Sequence, residues 1–126
     1  VSAPFDILLV EDEPVICELI RHLLGDLPVR VAVAQTGAEG LRLARSRPFQ
    51  LILMDVVLPQ LDGISVCRLL KADPATAATP LYMLTARTRR TDVEQATRAG
   101  ADGYIQKPFR HDELLGLVER LRAARP

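Results

Sequence analysis

The 126-residue chain has no tryptophan, only two cysteines and two histidines, and no net charge, 16 basic residues standing against 16 acidic ones. Without a net field nothing global draws it onto nucleic acid or an anionic membrane surface, so any such contact must be local. Cys17 and Cys67 fall inside predicted helices among apolar neighbours and read as two reduced core thiols of a cytoplasmic protein. Two isolated thiolates cannot complete a tetrahedral metal site. His22 and His111 have no second ligand nearby in sequence, which argues against catalysis by either. Apolar runs are all far too short to span a bilayer, so no membrane contact is expected. The opening Val1-Ser2-Ala3-Pro4 has neither a methionine nor a charged, apolar and small-residue succession. It therefore reads as lacking a signal peptide, and the chain is compatible with a piece of a longer protein.

What is present is an ordinary globular composition, 48% hydrophobic and 25% charged, expected to form one domain over residues 1–126. Strand-like and helix-like segments alternate from end to end. Strands are expected at Phe5 to Val10, Val29 to Ala34, Gln50 to Met54, Leu81 to Leu84 and Gly103 to Gln106. Pro14 suits the first turn of a helix, in which Ile16, Leu19, Ile20, Leu23 and Leu24 recur at helical spacing. Thr36-Gly37-Ala38-Glu39 matches a capping box opening a helix that runs through Arg47 and stops at Pro48. A third helix is expected through Lys71, a fourth from about Thr91 to Ala99 with Gly100 as its C′ residue, and a last from Asp112 to Ala123. Strict alternation implies an α/β fold, a doubly wound five-stranded parallel sheet between helices in three layers. Ligands in such folds bind at the carboxyl ends of the strands.

Those ends carry the chemistry. Glu11-Asp12 follows the first strand, Asp55 the third, Thr85 the fourth and Lys107 the fifth. Carboxylate oxygens from Asp12 and Asp55 suit a hard octahedral cation such as Mg²⁺, with Glu11, one methylene longer, able to act through a bound water. A carboxylate attacks a phosphoryl group poorly because both are anionic, and a metal with Lys107 would screen that repulsion. Thr85 can donate its hydroxyl and Ala86 its N–H to phosphoryl oxygens.

Four blocks, Val10-Glu11-Asp12-Glu13-Pro14, Met54-Asp55-Val56-Val57-Leu58-Pro59 with Asp62-Gly63, Leu84-Thr85-Ala86 and Lys107-Pro108-Phe109, resemble the signature blocks of receiver domains of two-component response regulators. Their order and intervals agree over nearly the whole chain. The resemblance implies a flavodoxin-like strand order 2-1-3-4-5. It implies that Asp55 accepts a phosphoryl group from a phosphohistidine on a sensor histidine kinase or a histidine phosphotransfer protein. Mg²⁺, for which Mn²⁺ can substitute, would be held by Glu11, Asp12, Asp55 and the carbonyl of Val57. It further implies a switch in which Thr85 moves towards the phosphoryl group and the Tyr104 ring turns inward. The surface of the fourth helix, fifth strand and fifth helix would then change partners, whether an output domain, a downstream protein or a second copy. Val57 and Arg87 stand where the family tunes hydrolysis of the acyl phosphate, and an apolar Val57, unable to orient water, implies a phosphoform lasting minutes or longer.

An enzyme and a cofactor carrier are competing readings, beside a degenerate receiver acting only by protein contact, against which the full set of site residues argues. A phosphatase of haloacid dehalogenase type also uses an aspartyl phosphate after an apolar strand, but needs a second acid two residues on, where this chain has Val57. A flavin carrier would need a Ser-, Thr- and Gly-rich loop after the first strand, where Glu11-Asp12-Glu13-Pro14 would repel phosphate. A regulatory domain rather than an enzyme is therefore expected. The basic cluster Arg87, Arg89 and Arg90 reads first as a solvated face, with partner docking as the alternative, and not as a nucleic-acid site, because no aromatics are interleaved for base stacking.

Overall fold

The computed structural model describes residues 4–86, 90–107 and 109–124, the side chains of residues 90–92 excepted. Arg87, Arg89 and Pro108 therefore lie outside the described residues, as does the Arg90 side chain. Five strands and five helices alternate: β1 (Phe5–Val10), α1 (Pro14–Leu23), β2 (Val29–Ala34), α2 (Gly37–Ser46), β3 (Leu51–Asp55), α3 (Gly63–Ala72), β4 (Leu81–Thr85), α4 (Arg90–Arg98), β5 (Gly103–Gln106) and α5 (His111–Ala123). All strand pairs are parallel, in the order β2-β1-β3-β4-β5.

Every residue of β1 and β3 is buried, because strands inside a parallel sheet are covered on both faces. Successive side chains point to opposite sides. Leu8, Val10, Ile52, Met54 and Met83 pack in one core with Val66, Cys67 and Leu70 of α3, Ala44 of α2 and Ala96 of α4. Ile7, Leu9, Leu51, Leu53, Leu84 and Ile105 pack in the other with Cys17 and Ile20 of α1 and Leu114, Leu117 and Val118 of α5. Each aliphatic side chain buried this way contributes about 1.5–3 kcal/mol.

Three local features go beyond the sequence reading. The buried stripe of α1 runs through Cys17 and Ile20 to Leu24, while Leu19 is exposed, because α5 covers a narrower arc of α1 than the apolar pattern suggested. At the start of α2 the Thr36 hydroxyl accepts from the Glu39 N–H at 3.1 Å as expected, but the Glu39 carboxylate reaches the N–H of Gln35, not that of Thr36. Asp6, inside the apolar run of β1, is paired despite its burial: Arg30 donates to both its oxygens at 2.8 and 2.9 Å and Arg47 adds a bond at 3.2 Å. That cluster sits where β1 begins, at the rim opposite the carboxyl ends.

Candidate functional site

The sheet register builds the site. Val10 pairs with Met54, Asp55 with Leu84 and Thr85 with Gln106, so the residues following these strands arrive level with one another. Ladder bonds continue past the strands: Glu11 N–H donates to Ala34 O at 2.9 Å, Val56 N–H to Leu84 O at 3.0 Å and Lys107 N–H to Thr85 O at 2.7 Å. The chain then turns away from Asp55 through a loop in which Gly63 N–H donates to Val56 O. A Cβ at Gly63 would collide with the Asp55 carbonyl, so this return path requires glycine. Asp62, just before it, caps α3 by accepting from the Ser65 N–H and hydroxyl, both at 2.9 Å.

Glu11, Asp12 and Asp55 present carboxylate oxygens that lie within 4.8 Å of one another. Glu11 is fully buried, Asp55 nearly so, and Asp12 exposed at the mouth. Lys107 closes the cluster from across the sheet, its Nζ 3.0 Å from Asp55 Oδ2 and 3.2 Å from Glu11 Oε2. The other Asp55 oxygen, Oδ1, accepts from the Val57 N–H at 3.1 Å. Both oxygens are thus oriented before any ligand arrives.

Burial pushes the Glu11 carboxyl up to about 7, with the neighbouring Asp55 carboxylate adding to the rise and Lys107 opposing it. Burial alone would lower the Lys107 ammonium, but bonds and charge from Asp55 and then Glu11 outweigh it and hold the group above its ordinary value. One lysine does not balance three carboxylates. The donor set, all oxygen and short of positive charge, fits a hard divalent cation.

A cavity of about 250 Å³ opens on this cluster, lined by Asp12, Asp55, Val57, Thr85, Ala86 and Lys107. Six of the expected site residues thus share one pocket, with Glu11 behind them. Val56 and Glu13 also line it and were not singled out from sequence. Val56 is placed there by its neighbour Asp55, a signal the chain order already carried. Tyr104 stands apart on β5, 44% exposed, so its ring lies outside the core in this conformation. Thr85 is buried at the end of β4.

An α/β protein wound in this order, with an acidic cluster and a lysine gathered at the switch in strand order, belongs to the class of doubly wound proteins that bind their ligands at the carboxyl ends of the strands. The response regulator receiver domain family matches residues 7–119, and the chain belongs to it. It is 39% identical over 117 residues to the DNA-binding response regulator MtrA of Mycolicibacterium smegmatis, covering 92% of this chain and 50% of that one. The chain spans about half the length of the response regulators it matches. The receiver domain of sensor histidine kinase PA1611 from Pseudomonas aeruginosa PAO1, solved with a magnesium ion coordinated in its active site cleft, superposes with a TM-score of 0.88 at 36% identity, covering 97% of this chain and 100% of that one. The signal receiver domain of a signal transduction histidine kinase from Syntrophus aciditrophicus gives 0.86 at 33% identity, covering 96% and 91%. The haloacid dehalogenase alternative finds no support in this family membership. No helix among the described residues is long and apolar enough to cross a membrane.

Proposed function

We propose that Asp55 is the phosphoacceptor of this receiver domain, taking a phosphoryl group from the phosphohistidine of a sensor histidine kinase or a histidine phosphotransfer protein. The observation that carries this is the doubly held Asp55 carboxylate, Oδ2 on Lys107 and Oδ1 on the Val57 N–H, at the floor of an open cavity. A carboxylate oxygen keeps a free lone pair beyond each of these bonds. As it attacks, an O–P bond forms while the P–N bond to the donor imidazole breaks and that nitrogen takes up a proton. Lys107, the Thr85 hydroxyl and the Ala86 N–H would meet the equatorial oxygens. Glu11, Asp12 and Asp55, with the Val57 carbonyl, would hold Mg²⁺, or Mn²⁺ in its place, which when bound neutralises phosphoryl charge.

The same reading makes Thr85 and Tyr104 the switch. Thr85 would move towards the phosphoryl group and the outward Tyr104 ring would fill the space it leaves. The face of α4, β5 and α5 would then change partners: an output domain of the same polypeptide, by analogy with the greater length of MtrA, a separate downstream protein, or a second copy of the chain. The domain acts as a cytoplasmic regulator, modified once, rather than an enzyme with turnover. Val57, 70% exposed at the mouth and unable to orient a water, supports a phosphoform of minutes or longer, with Arg87 as the second tuning position.

Incubation with acetyl phosphate and Mg²⁺ followed by intact-mass measurement tests the proposal. Wild type should gain one phosphoryl mass that decays over minutes or longer, and Asp55→Ala should gain none. Equal labelling of the variant, or repeated release of phosphate from a small ester, would sink it.

A further inference from the structure

On the flank of the molecule an open trough of about 510 Å³ runs between α3 and α4, lined among others by Ser65 and Arg68 of α3 and by Gln95 and Arg98 of α4, with Val56 and Ile64 as its apolar side. Arg68, Gln95 and Arg98 are exposed. Neither guanidinium has an ion-pair or hydrogen-bond partner among the described residues, which is true also of Arg21, Arg42, Arg120 and Arg122 but not of Arg30, Arg45, Arg47 and Arg110; what sets Arg68 and Arg98 apart is that both line one trough. Among the described residues the trough holds one acid, Asp62, each of whose oxygens accepts one bond from Ser65 at the α3 cap. Among the described residues, two unpaired cations on separate helices thus outnumber the one carboxylate of the trough, which is held in place at the α3 cap.

We infer that this trough docks an acidic segment of a partner protein, with carboxylates of that segment on Arg68 and Arg98 and an aliphatic side chain between them against Val56 and Ile64. The planar fork of a guanidinium matches a carboxylate with two parallel bonds, which a lysine cannot offer. Gln95 supplies further amide donors without adding charge. The apolar side selects a polypeptide over a bare anion, since a small oxyanion would leave Val56 and Ile64 uncovered. An open trough between two helices admits an extended or helical segment lying along it. Docking there makes no use of Asp55 and is expected of the unphosphorylated domain.

The test maps amide shifts of the nitrogen-15-labelled chain, without Mg²⁺ or phosphodonor, as a synthetic peptide of Glu and Leu is added. A peptide with Gln in place of Glu and a thymidine oligonucleotide serve as comparators. Shifts should concentrate at Ile64, Ser65, Arg68, Gln95 and Arg98, and Arg68→Glu with Arg98→Glu should weaken binding about tenfold or more. Both positions are exposed, and an unchanged melting midpoint of the double variant confirms that its fold is intact. Shifts centred on Arg120 and Arg122 instead, unchanged binding by the double variant, or equal binding of the Gln peptide would overturn the inference. Equal binding of the oligonucleotide at the same residues would also overturn it, as simple charge attraction. Phosphorylation of Asp55 is read by mass in a separate experiment, so either result can fail alone.

Discussion

At the scale of single residues the site stores repulsion. Three carboxylates face one lysine, and Glu11 is buried without solvent to screen it. Removing one negative charge should therefore stabilise the metal-free protein. Asp55→Asn is expected to raise stability by about 1 kcal/mol in the presence of a chelator, read as a higher urea midpoint. Lys107→Ala should do the reverse and cost roughly 2 kcal/mol, less than a fully rigid buried pair would lose because Glu11 can take up a proton. The thiols contrast with this poised centre. Burial pushes Cys67 up to about 11 and also raises Cys17, and each sulfur donates to a backbone carbonyl, that of Ala99 and that of Glu11 respectively. Neither should react with a disulfide reagent until the chain unfolds.

At the scale of elements, the caps decide where helices begin and end, and two of them can be tested apart from the site. Ser65 N–H and hydroxyl, bonded to Asp62, hold its carboxyl below the usual value despite some opposing burial. A carboxyl whose folded pKa is depressed stabilises the fold above its unfolded value near 3.8, and that contribution is lost as pH falls through the folded value. Asp62→Ala should accordingly cost about 1 kcal/mol at neutral pH, with the gap from wild type closing as acid is added below the unfolded value. Urea midpoints of both proteins across pH would check it. At the far end of α4, Gly100 has φ +98, and the N–H groups of Gly100 and Ala101 donate to Thr97 O and Ala96 O, both at 3.0 Å. This is the double closure of a Schellman turn. Gly100→Ala should lose about 1 kcal/mol, more if the new methyl cannot clear the Lys71 side chain that lies 3.0 Å from its position.

At the scale of the whole molecule, the two cores lie on opposite faces of the sheet, and its central strands contribute to both. Leu53, fully buried on β3, should cost about 2–5 kcal/mol when cut to alanine, with the site's register weakened alongside. Bound Mg²⁺ should act in the opposite sense. Because the acidic cluster exists only in the folded chain, stability should rise by about 1.4 kcal/mol for each tenfold increase in metal above its dissociation constant. Thermal midpoints over a magnesium series read this directly, and Asp55→Asn should show a smaller rise.

Much of this was legible in the order of residues. Strands ending in Glu11-Asp12, Asp55, Thr85 and Lys107 announced the site, because in a parallel sheet every carboxyl end reaches one rim, and Gly100 announced the end of α4. Residue order alone could not say how those side chains would share space. The bonds from Lys107 to Glu11 and Asp55 span 96 and 52 positions, and only the pairing of β1 with β3, β3 with β4 and β4 with β5 closes them. The burial of Glu11, the rescue of Asp6 by Arg30 and Arg47, and the exposure of Leu19 were likewise decided by packing. Local pattern states which face of an element is apolar. Which part of that face is covered, and which charge meets which, depends on neighbours far away in the chain.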